Sequence, residues 1–501
     1  MITLHHKLNI LATTMNENLL ALEPALLWKN FRELTLIPRP SKHEERVTEF
    51  LLQFGKQHAD EAFQDKAGNV IMRKKATPGM ENRKSIVLQA HCDMVPQKRS
   101  DKTHDFLADP ITTIVENGYV RADGTTLGGD DGMGVAAIMA VFEDNTLKHG
   151  PLEALITVDE ETGLTGADKL AKDALQSKIL INLDSEEDNI FYIGCAGGVN
   201  VHITKQLQFE NIDPAQYTPY KVMLTGFLGG HSGGDIHKNR PNAAKLLFRF
   251  INGIIGKIDF RLSGADSGDM HNAIPREARA FVFVNNDDIK KFNAAIKKFQ
   301  GVIDGETKLS DPDGKITAEK LETLMPLVLK EQHLKDVNLI VNSLVSGVFA
   351  MSADVPGLVE TSNNLSILRI SGGTLRIQCL LRSSVQSQSD YLKDIIRLQA
   401  EYAGAKCEFE GEYPGWKPNT QSPLLDLCKK LYVNNFGAEP AVTAIHAGLE
   451  CGLILGKYPG MDMISLGPTM YGVHTPDEKV EIASTGRFMQ LLRQILETGI
   501  E

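Results

Sequence analysis

The sequence lacks the features that are typical of disulfide-rich, membrane and nucleic-acid-binding proteins. Its six cysteines show no CxxC spacing, so neither a disulfide framework nor a thiolate zinc site is indicated, and a reduced, cytoplasmic location is expected. No apolar run reaches the roughly 18 residues that a membrane span requires. No basic block occurs and the net charge is −11, which disfavours nucleic acid and anionic membranes as partners. A small substrate is therefore the expected partner.

What remains is the composition of an ordinary globular protein, with 42% hydrophobic and 23% charged residues. A chain of 501 residues is too long for one compact domain, so two domains are expected. The first fourteen residues, MITLHHKLNILATT, lack the charged n-region and the cleavage site of a signal peptide. Because Met15 follows and a helical pattern begins near Leu22, residues 1–14 are interpreted as an extension outside the fold.

Three segments share one plan, in which a short β-rich apolar run ends in acidic or histidine residues. They are KSIVLQAHCDMV, PLEALITVDEETG and SKILINLDSEE. Between the first two, a glycine-rich turn leads into an apolar helix that we predict over 134–142, which gives the β–α alternation of an α/β sheet. Parallel strands of such a sheet end at the same edge, where binding sites form. The sequence therefore predicts an α/β fold with its site at that edge.

From about Val199 to Ala400 the pattern changes to alternating runs separated by long amphipathic helices, which predicts a second, α+β domain. One of these helices is predicted within RPNAAKLLFRFINGI, with Pro241 in its first turn. Residues 401–501 return to helix and strand alternation. The predicted segments are therefore 1–198, 199–400 and 401–501, of which 199–400 forms a domain of its own.

Eight side chains with nitrogen or oxygen ligand atoms fall at the predicted strand ends and in the loops between them. They are His91, Asp93, Asp130, Asp131, Glu160, Glu161, Asp184 and His474. Ligands of this type without thiolates suit zinc, manganese or cobalt in a hydrolytic site. Eight candidates are enough for two ions that share a bridging carboxylate.

Each of these motifs alone has a simpler interpretation. The HCD triplet could be a hydrogen-bonded turn, the GGDDG stretch could place acids at a helix N-terminus, and the paired glutamates could be an exposed acidic loop. Their joint occurrence at successive strand ends favours the metal site. Strand alternation would place Asp93 on the same side as His91 and turn Cys92 into the packing.

Seven motifs, namely AHCDMV, TTLGGDDGMG, VDEETGLTGA, NLDSEE, GGHSGGDIH, NAIPREA and HTPDE, carry a specific resemblance. The chain resembles the di-zinc metallopeptidase family that contains aminoacylase, and within it the branch of cytosolic nonspecific, or aminoacyl-histidine (Xaa-His), dipeptidases. This resemblance implies a catalytic α/β/α sandwich with a mostly parallel sheet. It also implies that residues 199–400 form an α+β lid domain inserted between the two catalytic halves.

The resemblance also implies roles for individual residues. Two Zn²⁺ ions, replaceable by Mn²⁺ or Co²⁺, would be held by His91, Asp130 and Asp184 and by Asp130, Glu161 and His474. Glu160 would be the general base. Asp93 would orient and polarise the histidine of the metal site.

For the predicted lid, the resemblance implies that His231 stabilises the oxyanion of the tetrahedral intermediate, although a histidine that caps a glycine-rich turn is the alternative. Asn272 and Arg382 would bind the carboxylate of the peptide, a task that suits the planar fork of arginine. Glu450 could meet the substrate amine or could be a buried structural carboxylate.

The expected reaction is hydrolysis of a dipeptide by a zinc-bridged hydroxide, with Glu160 moving the proton to the leaving amine. An N-acyl amino-acid deacylase of the same family is the nearest alternative, and a catalytically silent metal- or peptide-binding protein is another. The intact Glu160 disfavours the silent protein, since binding alone needs no base. A homodimer is left open.

Overall fold

The structure is a computed structural model that describes residues 16–500, so the predicted extension over 1–14 lies outside the described residues. The chain divides into two compact units. The first comprises the described residues of Met1–Gly194, Pro418–Ala444 and Leu449–Glu501, and the second comprises Cys195–Lys417 and Ile445–Gly448. The assignment of catalytic and lid roles to predicted domains stays a prediction.

The first unit is built on an eight-stranded mixed sheet. Its strands lie in the spatial order Glu61–Gln64, Val70–Lys74, Leu152–Thr157, Ile86–His91, Ile179–Asn182, Asp462–Ser465, Ile190–Cys195 and Ala441–Ile445. The four central strands, from Leu152–Thr157 to Asp462–Ser465, pair in parallel. The pairings that flank them on either side are antiparallel. The parallel part is thus the centre of the sheet.

The central strands are mostly apolar, and three of them are buried along their whole length. Every residue of Ile86–His91, Leu152–Thr157 and Ile179–Asn182 is buried, which is the usual pattern of parallel strands in α/β proteins. The α/β class predicted from the sequence is confirmed. The helices of this unit are Glu17–Ala21 (3₁₀), Ala25–Thr35, Glu45–His58, Gly129–Glu143, Glu160–Gly163, Thr165–Lys169, Pro423–Phe436, Glu450–Lys457 and Ile482–Thr498.

A small antiparallel sheet in the first unit supports one of the loops that carry candidate ligands. Its strands, in spatial order, are Met470–Tyr471, Lys479–Glu481, Tyr119–Ala122 and Thr113–Glu116. The loop that contains His474 connects the first two of these strands. The two ends of that loop are therefore held together by strand pairing.

The second unit has the α+β character that its sequence predicts. A nine-stranded antiparallel sheet contains Gly197–Gln206, Tyr217–Thr225, Phe260–Ser267, Ala278–Asn285, Lys315–Lys320, Gly347–Met351, Val359–Ser371, Thr374–Ser383 and Lys406–Tyr413. Two short pairs join Phe209–Asn211 to Leu327–Leu329 and Gly230–His231 to Ala273–Ile274. Apolar side chains of the sheet pack against the helices Ala243–Ile254, Ile289–Thr307, Glu331–Ser343 and Gln386–Tyr402.

One detail of the helix prediction in this unit is wrong. Pro241 lies before the helix Ala243–Ile254, not in its first turn. The reason is that Asn242 is the N-cap, whose side-chain oxygen accepts the backbone N–H groups of Ala244 and Lys245. Among the helices of residues 16–500, none is long and apolar enough to cross a membrane.

Candidate metal centre

Three of the parallel strands deliver candidate ligands to one edge of the sheet. His91 is the last residue of its strand, Glu160 and Glu161 follow Leu152–Thr157, and Asp184 follows Ile179–Asn182. His91 pairs in register with Thr157, and Gln89 pairs with Asn182. The side chains after the three strands therefore lie close together, as the sequence predicts.

Asp130 lies between the two candidate histidines. It sits in the turn that opens the helix Gly129–Glu143, where Asp130 and Asp131 have non-helical backbone angles. One carboxylate oxygen of Asp130 lies 3.0 Å from Nε2 of His91, and the other lies 3.0 Å from Nε2 of His474. Each oxygen thus faces a different histidine, which is the arrangement that a carboxylate shared by two ions requires.

The candidate ligands form two groups that share Asp130. In the first group, which is His91, Asp130 and Asp184, and in the second, which is Asp130, Glu161 and His474, the ligand atoms lie within 4.8 Å of one another. His91 Nε2 is 3.5 Å from an oxygen of Asp184, and His474 Nε2 is 3.0 Å from an oxygen of Glu161. Glu160 also lies near His91 and Glu161.

The pKa values of the candidate ligands are shifted because several carboxylates lie close together in a buried site. Burial, followed by the charges of neighbouring carboxylates, raises the pKa of Asp184 to about 7 and holds the pKa of Glu160 well above its usual range. Hydrogen bonds with Asp130 and Glu161 raise the pKa of His474 to about 11. Negative charge is therefore in excess, and protons are retained to reduce it.

These groups fit a divalent cation. Glu161 Oε1 is buried and has no hydrogen-bond partner among residues 16–500, so this oxygen is left to bind a cation. The donor set is imidazole and carboxylate, which suits zinc, manganese or cobalt better than a thiolate-selecting ion. A cation would also compensate the excess of carboxylates.

Asp93 connects His91 to the turn that carries the two glutamates. Its carboxylate lies 3.3 Å from Nδ1 of His91 and accepts the backbone N–H groups of Glu160 (3.1 Å) and Glu161 (3.3 Å) and the hydroxyl of Ser41 (2.7 Å). Burial acts to raise the pKa of Asp93, but the hydrogen bond and charge of His91 outweigh it and hold the pKa at about 2. Asp93 is thus an anion placed to orient the imidazole.

The sequence motifs did not single out two other buried groups of the centre. Arg39 donates to the backbone carbonyls of Cys92 and Asp93, both at 3.0 Å, and to that of Gly128. Glu478 accepts backbone N–H groups from the turn that contains Asp130. Backbone contacts of this kind leave no spacing pattern in a sequence, although Glu478 does belong to the HTPDE motif.

In the second unit, His231 is held as a hydrogen-bond donor. Its Nδ1 accepts the backbone N–H groups of Gly233 (3.3 Å) and Gly234 (3.0 Å), so the proton of the neutral ring is on Nε2. Burial of part of the ring, followed by the charge of Arg382, lowers the pKa of His231. The ring is therefore neutral near pH 7 and presents an N–H group.

Arg382 and Asn272 lie next to His231 in the same unit. The backbone carbonyl of Asn272 accepts the N–H group of Ser232 at 2.8 Å. A methyl group added at Gly233 would lie 3.2 Å from Nε of Arg382 and 3.1 Å from the ring of His231. Nε of Arg382 is buried and, within the part of the chain that the structure describes, has no hydrogen-bond partner. An anion such as a carboxylate is the partner that this group suits.

Glu450 of the first unit is 1% exposed and is bonded inside the sheet. One oxygen accepts hydrogen bonds from Gln89 and Thr157, both at 2.6 Å, and burial raises the pKa of the carboxyl group to about 7. These contacts favour a structural carboxylate over a group that meets the substrate amine. Its role stays a prediction.

Comparison with known proteins identifies the family of this chain. The chain belongs to peptidase family M20/M25/M40, whose pattern matches residues 87–498. The resemblance inferred from the seven motifs is thereby confirmed. This family is metal-dependent, in agreement with the imidazole and carboxylate groups at the sheet edge.

Among individual proteins, the cytosol non-specific dipeptidase of Escherichia coli K12 is 40% identical over 476 residues, which cover 95% of this chain and 98% of the relative. The crystal structure of the aminoacylhistidine dipeptidase of Vibrio alginolyticus matches with a TM-score of 0.92 and 39% identity, over 97% of this chain and 100% of the other. A tripeptidase of Staphylococcus aureus, at 16% identity and a TM-score of 0.53 over 95% and 98% of the two chains, shares the fold alone.

Proposed function

We propose that the protein is a dipeptidase that acts with two divalent metal ions. The proposed ions are Zn²⁺, and Mn²⁺ or Co²⁺ can substitute for them. The observation that carries this proposal is the pair of ligand groups that share Asp130 at the carboxyl edge of the parallel strands. The names of the Escherichia coli and Vibrio alginolyticus relatives support a dipeptide as the substrate, including Xaa-His dipeptides. The name of the former also supports the cytoplasm as the location.

In this proposal one ion is held by His91, Asp130 and Asp184, and the other by Asp130, Glu161 and His474. When bound, the ions polarise the scissile carbonyl group and acidify water. Asp93 keeps the imidazole of His91 in one orientation through its contact with Nδ1.

Glu160 is the proposed general base. It belongs to neither of the two groups that share Asp130, and burial holds the pKa of its carboxyl group well above its usual range, as suits a group that accepts a proton. It accepts a proton from the attacking water and delivers that proton to the leaving amine. Successive side chains diverge from the backbone, so Glu161 can hold a metal ion while Glu160 moves the proton.

We assign substrate contacts to the second unit, in its proposed role as a lid. His231 donates its Nε2–H group to the oxygen of the reacting carbonyl, because Nδ1 is occupied by two backbone N–H groups. Arg382, with Asn272 beside it, binds the terminal carboxylate of the substrate. Recognition of that carboxylate close to the reacting bond limits the substrate to two residues.

The environment of Glu450 favours a second candidate function, which is that of an N-acyl amino-acid deacylase. Such an enzyme needs the same metal groups and the same base but no partner for a free substrate amine. Glu450, the residue assigned to that amine from the resemblance, is buried and already accepts two hydrogen bonds. The dipeptidase stays the first choice because of the two closely similar relatives.

A substrate panel tests the choice. The metal-loaded protein is assayed with Xaa-His and other dipeptides, with tripeptides and with N-acyl amino acids. We expect hydrolysis of dipeptides, including Xaa-His, and little or none of the tripeptides and N-acyl compounds. Rapid hydrolysis of N-acyl amino acids alongside inert dipeptides would establish the deacylase instead.

A further inference from the structure

Glu478 is a buried carboxylate close to the metal centre that the proposed mechanism does not use. It is 2% exposed and lies four residues after His474. Its two oxygens accept backbone N–H groups from four consecutive residues, at 2.7 Å (Leu127), 3.1 Å (Gly128), 2.6 Å (Gly129) and 3.4 Å (Asp130). Both oxygens are thus occupied by the turn that contains Asp130.

These contacts form a backbone anion site that is filled by a side chain of the same chain. Consecutive N–H groups at a turn and at the start of a helix have no partner within the helix and attract a negative charge. A carboxylate that satisfies four of them fixes the path of the backbone, and charge-assisted hydrogen bonds are the stronger kind.

The glycines of the GGDDG motif allow this close approach. A methyl group added at Gly129 would lie 3.1 Å from Oε1 of Glu478 and 2.7 Å from Val480. At Gly128 the backbone has a φ of 69°, which side chains rarely tolerate, and an added methyl group would lie 2.6 Å from Arg39. The motif is thus explained by packing against Glu478 and Arg39 as well as by the aspartate that it presents.

Glu478 links two loops that each carry a candidate ligand. The turn that it binds holds Asp130, and its own loop holds His474, whose Nε2 lies 3.0 Å from Asp130. We propose that Glu478 is a positioning residue that fixes Asp130 and His474 at the separation needed for the second metal ion, before any ion binds. The proposal rests on the proposed function only in taking these two side chains as metal ligands.

The test compares Glu478→Gln, Glu478→Asp and the matched control Asp477→Asn. Glutamine keeps the size of the side chain but places an NH₂ group against backbone donors, whereas aspartate keeps the charge and is too short to reach all four. Asp477 is the exposed neighbour, whose carboxylate pairs with Arg99. Its variant should behave like the wild-type protein.

Metal-free wild-type and variant proteins are titrated with Zn²⁺ alone by calorimetry with a competing chelator. Loss of a residue that supports metal ligands typically weakens affinity by about 10- to 100-fold. We expect a loss of that size in Glu478→Gln for the ion that needs His474, a smaller loss for the ion of His91 and Asp184, and partial retention in Glu478→Asp. A role in folding alone would weaken both binding events equally and lower the unfolding temperature of the metal-free protein.

Unchanged affinity for both ions in a folded Glu478→Gln protein would overturn the proposal. If that variant does not fold, amide hydrogen exchange of the metal-free wild-type protein gives the answer. Protection of the amides of 127–130 without metal is expected, and protection that appears only after Zn²⁺ is added would contradict positioning by Glu478. Neither readout requires turnover, so both remain informative if dipeptides prove not to be the substrate.

Discussion

Metal binding by this protein should release a proton from His474. In the metal-free protein this imidazole lies between Asp130 and Glu161, and the two hydrogen bonds raise its pKa to about 11. The ring is therefore protonated at neutral pH, whereas a histidine that binds a metal ion must be neutral. An ion that enters this group must displace the proton.

The sign and size of the pH dependence follow from this displacement. Below pH 11 the metal ion competes with the proton, so affinity strengthens as the pH rises. One proton released per ion corresponds to a change of about tenfold, or about 1.4 kcal/mol, per pH unit. At pH 8 the carboxyl group of Asp184, with a pKa of about 7, is mostly ionised and so releases few protons when metal binds.

Calorimetry at pH 8 in two buffers with different ionisation enthalpies counts the protons released when Zn²⁺ is added. We expect about one proton for the ion bound by His474. His474→Gln should remove that proton and weaken the ion's binding, whereas the exposed control His43→Gln should change neither. Equal heats in the two buffers, together with an affinity that does not vary between pH 6 and pH 8, would refute the reasoning.

Three further predictions concern activity and stability. Removal of metal by a chelator should abolish hydrolysis, and Zn²⁺, Mn²⁺ or Co²⁺ should restore it; full turnover by protein shown to be metal-free would contradict a metal-dependent reaction. His231→Ala should keep both metal ions and lose about 10²- to 10³-fold in kcat, or about 3–4 kcal/mol, since one donor to a developing oxyanion is removed; a near-wild-type kcat would make His231 a turn residue. Glu450→Ala should lower the free energy of unfolding, measured in urea, by a few kcal/mol. The reason is that the amide of Gln89 and the hydroxyl of Thr157 each lose a buried acceptor, at a cost of about 1–3 kcal/mol. An unchanged free energy of unfolding would show that neither group depends on Glu450.

The α/β class and the edge that carries the candidate ligands could be predicted because they depend on local patterns. Three of the four central strands, Ile86–His91, Leu152–Thr157 and Ile179–Asn182, are buried along their length and lead into the polar residues that mark the site, as with His91 and the following Asp93. The sequence predicts a helix only over 134–142, whereas in the structure the helix Gly129–Glu143 begins earlier with a first turn in which Asp130 and Asp131 have non-helical conformations. Propensity describes that turn poorly, since its shape depends on partners distant in sequence.

The contacts that tie the ligand loops together could not be predicted. Glu478 binds backbone amides some 350 positions earlier in the chain, and Arg39 binds carbonyl groups. Backbone N–H and C=O groups are the same in every residue, so no motif records which of them a distant side chain will contact. In the same way, only the packing shows that Glu450 is bonded to Gln89 and Thr157.

The central claim is that Glu160 is the general base and the adjacent Glu161 is a metal ligand. A matched pair of isosteric variants tests this claim most directly. Glu160→Gln and Glu161→Gln are analysed for bound metal and for the kcat of dipeptide hydrolysis. We expect Glu160→Gln to keep both ions and to lose at least the roughly 10²- to 10⁴-fold in kcat that a general base supplies. Glu161→Gln should lose metal. Metal loss in Glu160→Gln with full metal in Glu161→Gln would contradict the account and exchange the two roles.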